Sequence, residues 1–247
     1  MRFKVEPPQK SDIKDPSSGT SFKANEVNPN VLETTRLKKI LELFAKGLDD
    51  SENCIGYHGT STEAINYLLK NGYLAGRRDC EAKDKNLPQK GDFYFMPIRE
   101  HLSAFQEFKR EEDKDPIKYA ENYAHFISAG DYFLTNLNLD ITNQEYISFS
   151  RRFLFDDDPE AEEFFLSKGF SKQLLDSVAR EAQKRKGVII GIHKNALDKH
   201  VPTYGDGGDD LRFSLPSEGL SYEYLSGIEP LGQEEWDYFI KIKESSQ

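Results

Sequence analysis

The sequence predicts an α+β fold: one domain over residues 31–247, preceded by a flexible arm over 1–30. Three observations carry that prediction. Strand-like and helix-like segments follow one another without the strict alternation of a doubly wound parallel sheet. The clearest strand, "GVIIGIHK" (187–194), is a short β-branched run bounded by glycine, the pattern of a fully buried strand. Of the 247 residues, 37% are hydrophobic and 12% aromatic, enough for a core and too many for disorder over most of the length.

The elements follow in order. Residues 1–30 are rich in Pro, Ser, Lys and Asn, and carry no apolar stretch of the signal-peptide kind. "VLETTRLKKILELFAKGL" (31–48) spaces Val31, Leu32, Leu37, Ile40, Leu41 and Phe44 as an amphipathic helix, and "DDSEN" breaks it. "CIGYH" is a short strand. Thr60 or Ser61 caps the next helix, whose apolar face is Ile65, Leu68, Leu69 and Tyr73, and Asn71-Gly72 ends it. "GRRDCEAKDKNLPQKGD" is a polar loop. "FYFMP" (93–97) is an aromatic strand stopped by Pro97. Residues 98–118 are charge-dense and read as an exposed insertion. Residues 117–137 are a helix with Tyr119, Tyr123 and Phe126 on adjoining positions of one face. "LDITNQEYISFSRRFLF" reads equally as strand or loop. Residues 160–186 are two helices broken near Gly169, the second stopped by Gly187. "YGDGGDD" is a turn or mobile loop. "LRFSLPSEG" and "SGIEPLG" are two further strands, and "EEWDYFIKIKESSQ" closes the chain with alternating aromatics and a polar tail.

Charge and cysteine content narrow the function classes. With 33 Lys and Arg against 43 Asp and Glu, the net charge is -10, which lacks the broad footprint of a nucleic-acid binder. Nucleic acid and membrane are not expected partners. No apolar run approaches the roughly 20 residues that span a bilayer. Cys54 and Cys80 stand at no metal-ligand spacing, so no metal is expected, and two lone thiols suit a reducing compartment.

Four residues carry candidate chemistry. His58 lies in "YHGTS", at a strand-to-helix junction. Alone, it is better explained as a structural histidine than as a site residue. Gly59 beside it lets its peptide approach a ligand, and one N–H with one C=O fits a primary carboxamide. Tyr94 in "GDFYF" and Tyr123 in "AENYA" are either core aromatics or two rings that sandwich a flat heterocycle. Glu218 in "LPSEGLSYEYLSGIEPLG" is either an exposed turn residue or a carboxylate that stabilises an oxocarbenium-like ribose. Asp209, Asp210 and Glu223 compete for that role.

Taken together and in this order, these segments resemble the ADP-ribosyltransferases of the diphtheria-toxin and poly(ADP-ribose)-polymerase-like branch, the His-Tyr-Glu type. "YHGTSTEAINYLLKNGY" is similar to that family's first motif, "GDFYF" to its "GxGIYF" motif, "AENYA" to its "SANYC"-type helix, and "PSEGLSYEYLSGIEPLG" to its third. The likeness covers residues 54 to 232. It departs in the long interval between Tyr94 and Tyr123, in Ala120 where many relatives have serine, and in a helical segment at 150–186.

The resemblance implies a split, mixed β-sheet core with helical insertions and a cleft for NAD+ as substrate. It implies that Tyr94 and Tyr123 clamp the nicotinamide ring, that Gly59 fixes the carboxamide, that His58 orients the adenosine-side ribose, and that Thr60 belongs to the same NAD+-binding set. Glu218 then stabilises the ribosyl cation, and Arg77 or Arg78 meets the pyrophosphate. The expected activity is mono-ADP-ribosylation of a protein acceptor by a monomeric bacterial effector or toxin. Such a protein starts in the bacterial cytoplasm and acts in a host cytosol. Two other readings stay open: an NAD+-dependent RNA 2'-phosphotransferase, whose histidine strand "REHLS" (99–103) echoes, and a catalytically inactive NAD-fold binding module.

Overall fold

In a computed structural model, residues 29–48, 51–75, 91–102, 115–204, 211–215 and 219–246 are described. The arm over residues 1–28 lies outside them. Helix α1 (Pro29–Lys46) buries Ile40, Leu43 and Phe44, the apolar stripe of its 3.6-residue period. Strand β1 (Cys54–Thr60) leads into α2 (Thr62–Asn71). Ser61 is the cap: its hydroxyl accepts from Ala64 N. Gly72 ends α2 in the left-handed region, at φ 86°, where its N–H reaches Leu68 O. Tyr73, expected on the helix face, starts a short strand, β2 (Tyr73–Leu74).

Strand β3 (Gly91–Pro97) precedes α3 (Pro116–Asn136), which Asp115 caps and Pro116 opens. The segment expected to be an exposed insertion is anchored at its start. Ile98 N donates to Ile55 O, His101 Nδ1 donates to Cys54 O, and Leu102 is buried. Residues 103–114 lie outside the described residues.

The stretch read as strand or loop is a helix, α4 (Gln144–Phe155). Its β-branched and aromatic residues suggest a strand, but Asn143 caps the N-terminus and Leu154 seats the helix in a core. Helices α5 (Pro159–Ser167) and α6 (Lys172–Ala182) follow, separated as expected around Gly169. Gly187 is not what stops α6, which already ends at Ala182; Gly187 lies against the backbones of Ala124 and Thr60 instead.

Strands β4 (Val188–His193), β5 (Pro202–Tyr204), β6 (Leu211–Leu215), β7 (Leu220–Ser221) and β8 (Leu225–Pro230) complete the β structure. The supposed polar tail is helix α7 (Gln233–Glu244). It buries Phe239, stacked on Phe44 at 4.8 Å, and seats Trp236 edge-on to the same ring at 4.9 Å. The apparent alternation of Trp236, Tyr238, Ile240 and Ile242 in "WDYFIKI" is not what is buried: the buried aromatic of the helix is Phe239, which breaks it.

The main sheet runs β5-β6-β3-β1-β4-β8, and β2 pairs with β7. Every described pair is antiparallel, so the expected mixed sheet is corrected. The link from β1 to β3 runs through α2, β2 and residues 75–90, and β3 enters the sheet at the end where β1 leaves it, as an antiparallel neighbour must. The sheet has two halves. Strand β3 pairs with β6 along Gly91–Phe95 and with β1 only at Met96 and Pro97.

One face of the sheet builds the main core against α1, α2 and α7, with Phe93, Phe95, Ile190, Phe213 and Ile228 inside. The other face receives α3, which packs on β1, β3 and β4. A second core, around Phe133, Leu154, Phe165 and Leu175, lies where α3 meets α4, α5 and α6.

Candidate ligand-binding site

Four of the predicted residues, His58, Gly59, Tyr94 and Tyr123, lie on the elements that meet near the seam between the two halves of the sheet, with the His58 ring on the main-core face beside Phe93 and the Tyr94 side chain on the α3 face. Residues Gly56 and Tyr57 pair with Pro97 and Met96, and Ile98 N bonds to Ile55 O at 2.9 Å. Antiparallel alternation therefore directs the peptide groups of Tyr57 and Gly59 towards β3. The β1–β3 pairing stops at Tyr57. Continued by two residues, the same register sets Gly59 level with Tyr94.

At this point His58 bridges the gap. Its Nδ1 is 2.6 Å from Tyr94 O, and its ring lies 4.3 Å from that of Phe93. A carbonyl only accepts, so Nδ1 carries the proton, which fixes the tautomer of the neutral ring. His58 thus ties β1 to β3 as well as standing at the seam.

Gly59 has a packing reason of its own. A Cβ there would stand 2.9 Å from Ala124 Cα, and closer still to the Ala120 carbonyl oxygen and the Ala124 amide. Helix α3 rests directly on this peptide. The close approach places Tyr119 and Tyr123, on the turn beside Ala120 and Ala124, at the edge of the seam. Their rings stack with centroids 5.0 Å apart, and Tyr123 stays 43% exposed.

Tyr94 projects to the same side. Phe93 and Phe95 point into the main core, so the residue between them faces α3. Directly opposite Tyr94 on β6 is Arg212, and opposite Arg212 on β5 is Thr203. Facing residues share a sheet face, which makes Tyr94, Arg212 and Thr203 one row across three strands. Arg212 spans it, with donors 3.5 Å from Tyr94 Oη and 3.4 Å from Thr203 Oγ1. Tyr94 and Arg212 are half-buried and Thr203 is exposed. The row forms a floor beside the α3 wall.

The remaining candidates divide. Thr60 is 2% exposed and paired with Val188, so its side chain is not open to a ligand. Arg77, Arg78 and Glu218 lie outside the described residues, as do Cys80, Asp209 and Asp210. Glu223 is exposed, in the short 3₁₀ turn Tyr222–Tyr224 that links β7 to β8. His101, the echo of the phosphotransferase strand, bonds to Cys54 at the opposite end of β1 from Gly59 and does not join the seam. Sequence reasoning passed over Arg212, although the alternation of Leu211, Phe213 and Leu215 already turns Arg212 to the other face.

Next to the seam is a buried polar junction. Ser61 Oγ donates to Asp131 Oδ2 at 2.5 Å, and both residues are buried. Glu63, in the first turn of α2, has its carboxyl held above the ordinary glutamate range chiefly by burial, with the Asp131 charge adding to the rise. Among the described residues no cluster of three or more His, Cys, Asp or Glu could hold a metal, and no helix is long and apolar enough to cross a membrane. Comparison with protein families, with curated proteins and with solved structures finds no match to this chain.

Proposed function

We propose that the protein is an NAD+-dependent mono-ADP-ribosyltransferase acting at the β1–β3 seam. The observation that supports this most is the peptide of Gly59, turned towards β3 where pairing ends, level with Tyr94 and bordered by Tyr123. On this reading Gly59 holds the carboxamide through one N–H and one C=O, and the tyrosine rings bracket the nicotinamide. Such stacking is worth roughly 1 kcal/mol beyond area burial and fixes the ring's orientation. With Nδ1 committed to Tyr94 O, His58 meets a ribose hydroxyl through Nε2, which accepts when the ring is neutral.

The reaction breaks the bond between nicotinamide nitrogen and ribose C1'. The bonding pair leaves with the nitrogen and neutralises the pyridinium, so the leaving group needs no acid. Positive charge develops on the ribose, and Glu218 is the carboxylate assigned to stabilise it. A nucleophile of the acceptor then bonds to C1' and loses its proton. The net charge of -10 favours a basic protein acceptor, and the reading extends to a host-cell target reached by export.

Glu218→Gln keeps shape and loses charge. The expected outcome is NAD+ affinity close to wild type with nicotinamide release slower by about 100-fold or more, the scale of losing one preorganised electrostatic group. Glu223→Gln and Asp210→Asn serve as comparisons, with affinity measured by calorimetry. If Glu223→Gln alone is dead, the catalytic carboxylate sits five residues further on. If all three variants turn over normally, this segment is not the catalytic one.

A further inference from the structure

We propose that Tyr119 is a positioning residue of the NAD+ site: its ring backs that of Tyr123 and holds it in the orientation that receives nicotinamide. This role rests on the NAD+ reading above. The two residues stand four apart on α3, the spacing that sets side chains one above the other on a helix. Their rings stack with centroids 5.0 Å apart and planes 28° from parallel. Tyr119 is half-buried, whereas Tyr123 is 43% exposed and so stays open to a ligand. The two hydroxyls are 3.5 Å apart, at the long limit of a hydrogen bond, so the contact between the rings carries the support.

The flank of α3 on which the pair stands follows from its neighbours. Ala120 and Ala124 press on Gly59 of β1. His125, one position further, donates through Nδ1 to Arg185 O at 2.5 Å, three residues ahead of β4. Successive helical side chains turn by about 100°, so Tyr119 and Tyr123 leave α3 on the opposite flank. With the strands ordered β3-β1-β4, that flank is the one towards β3, the strand that carries Tyr94. A tyrosine on a helix surface loses rotamer freedom when a ligand fixes it. The stack with Tyr119 settles the Tyr123 ring before a ligand arrives. It also covers one face of that ring, so a flat heterocycle stacks on the other.

The experiment is calorimetric titration of the full chain with NAD+ and with ADP-ribose, which lacks the nicotinamide ring. Tyr119→Ala should weaken NAD+ by about three- to tenfold, the scale of one aromatic stack, and leave ADP-ribose at the wild-type value. Tyr119→Phe keeps the ring and should bind NAD+ within about twofold of wild type, because the hydroxyl contact is long. In a chain that already carries Tyr123→Ala, Tyr119→Ala should add no further loss, since it acts through that ring. Thermal transitions followed by circular dichroism show that the compared proteins are folded. Should Tyr119→Ala not fold, Tyr119→Leu, which fills space without a planar face, takes its place. Unchanged NAD+ affinity in the variant without the ring would overturn the proposal and leave the NAD+ reading standing. An equal loss for ADP-ribose would overturn it too, as a general disturbance of α3. So would a further loss in the Tyr123→Ala background, or a Tyr119→Phe protein as weak as Tyr119→Ala. If the wild type does not bind NAD+, the NAD+ reading itself fails, and this assignment with it.

Discussion

At the scale of single residues, Gly59 joins packing and site. The absent Cβ lets α3 settle on β1, and that contact brings Tyr123 to the seam. Gly59→Ala should therefore harm stability before any ligand is added. The atoms it would strike belong to the helix backbone, so relief requires moving α3 and not a side-chain rotamer. The expected cost is about 3 kcal/mol, the upper end for overpacking, read from the denaturant midpoint. A midpoint within error of wild type would mean that α3 does not press on β1 as described. The residues at the seam were largely legible beforehand, because "YHGTS" and "GDFYF" are local strings. What they do for the fold was not legible. The bond from His58 to Tyr94 O depends on two strands that meet only in the folded chain.

At the scale of elements, the junction of α2, α3 and α7 holds more charge than its surroundings solvate. Glu63 faces Asp131 on α3, Arg185 ahead of β4 and Tyr238 on α7, while its own helix supplies Thr62 Oγ1 at 3.1 Å. Tyr238 donates to Asn66 Oδ1 at 2.8 Å, and burial pushes its phenol well up. Because the Glu63 carboxyl is raised in the folded state, the native protein holds that proton more tightly than the unfolded chain. Its contribution is favourable below the ordinary glutamate pKa and is lost as pH rises through the raised value. Glu63→Gln should thus melt higher than wild type at neutral pH, and the gain should vanish towards pH values below the ordinary glutamate pKa. A difference in melting temperature that is the same at both ends would show that charge is not the cause. The elements themselves were mostly readable from periodicity and caps. Among the helices two were not: α4 is rich in residues that prefer strands, and α7 sets Trp236, Tyr238, Ile240 and Ile242 at a strand-like spacing of two; the short strands β2 and β5 were missed as well.

At the scale of the whole molecule, α3 is the shared member of two cores. One side lies on the sheet, with Ala120 and Ala124 against β1. The other buries Phe133 and Leu134 among α4, α5 and α6, where Arg152 ties α4 to the start of α5 through Asp158 and Glu160. Losing the helical layer would expose half of α3, so the two cores should unfold together. The chain's single tryptophan, Trp236, reports on the main core from its place on Phe44. Far-ultraviolet circular dichroism reports mainly on the helices. In a denaturant titration the two transitions should coincide. A dichroism change that precedes the fluorescence change would show a helical layer that melts by itself.

The sequence by itself determined the kinds of most elements, many of their limits, the α+β class and the strings that carry His58, Gly59, Tyr94 and Tyr123. Those follow from short-range causes: side-chain period, capping hydroxyls, and the backbone freedom of glycine at positions such as Gly72. Tertiary structure alone decided the antiparallel order of the strands, the change of partner along β3 from β6 to β1, and the row that carries Tyr94, Arg212 and Thr203. Residues 94, 203 and 212 have no local relation to one another. Their meeting depends on strand register, and register is set by which faces the whole chain buries together.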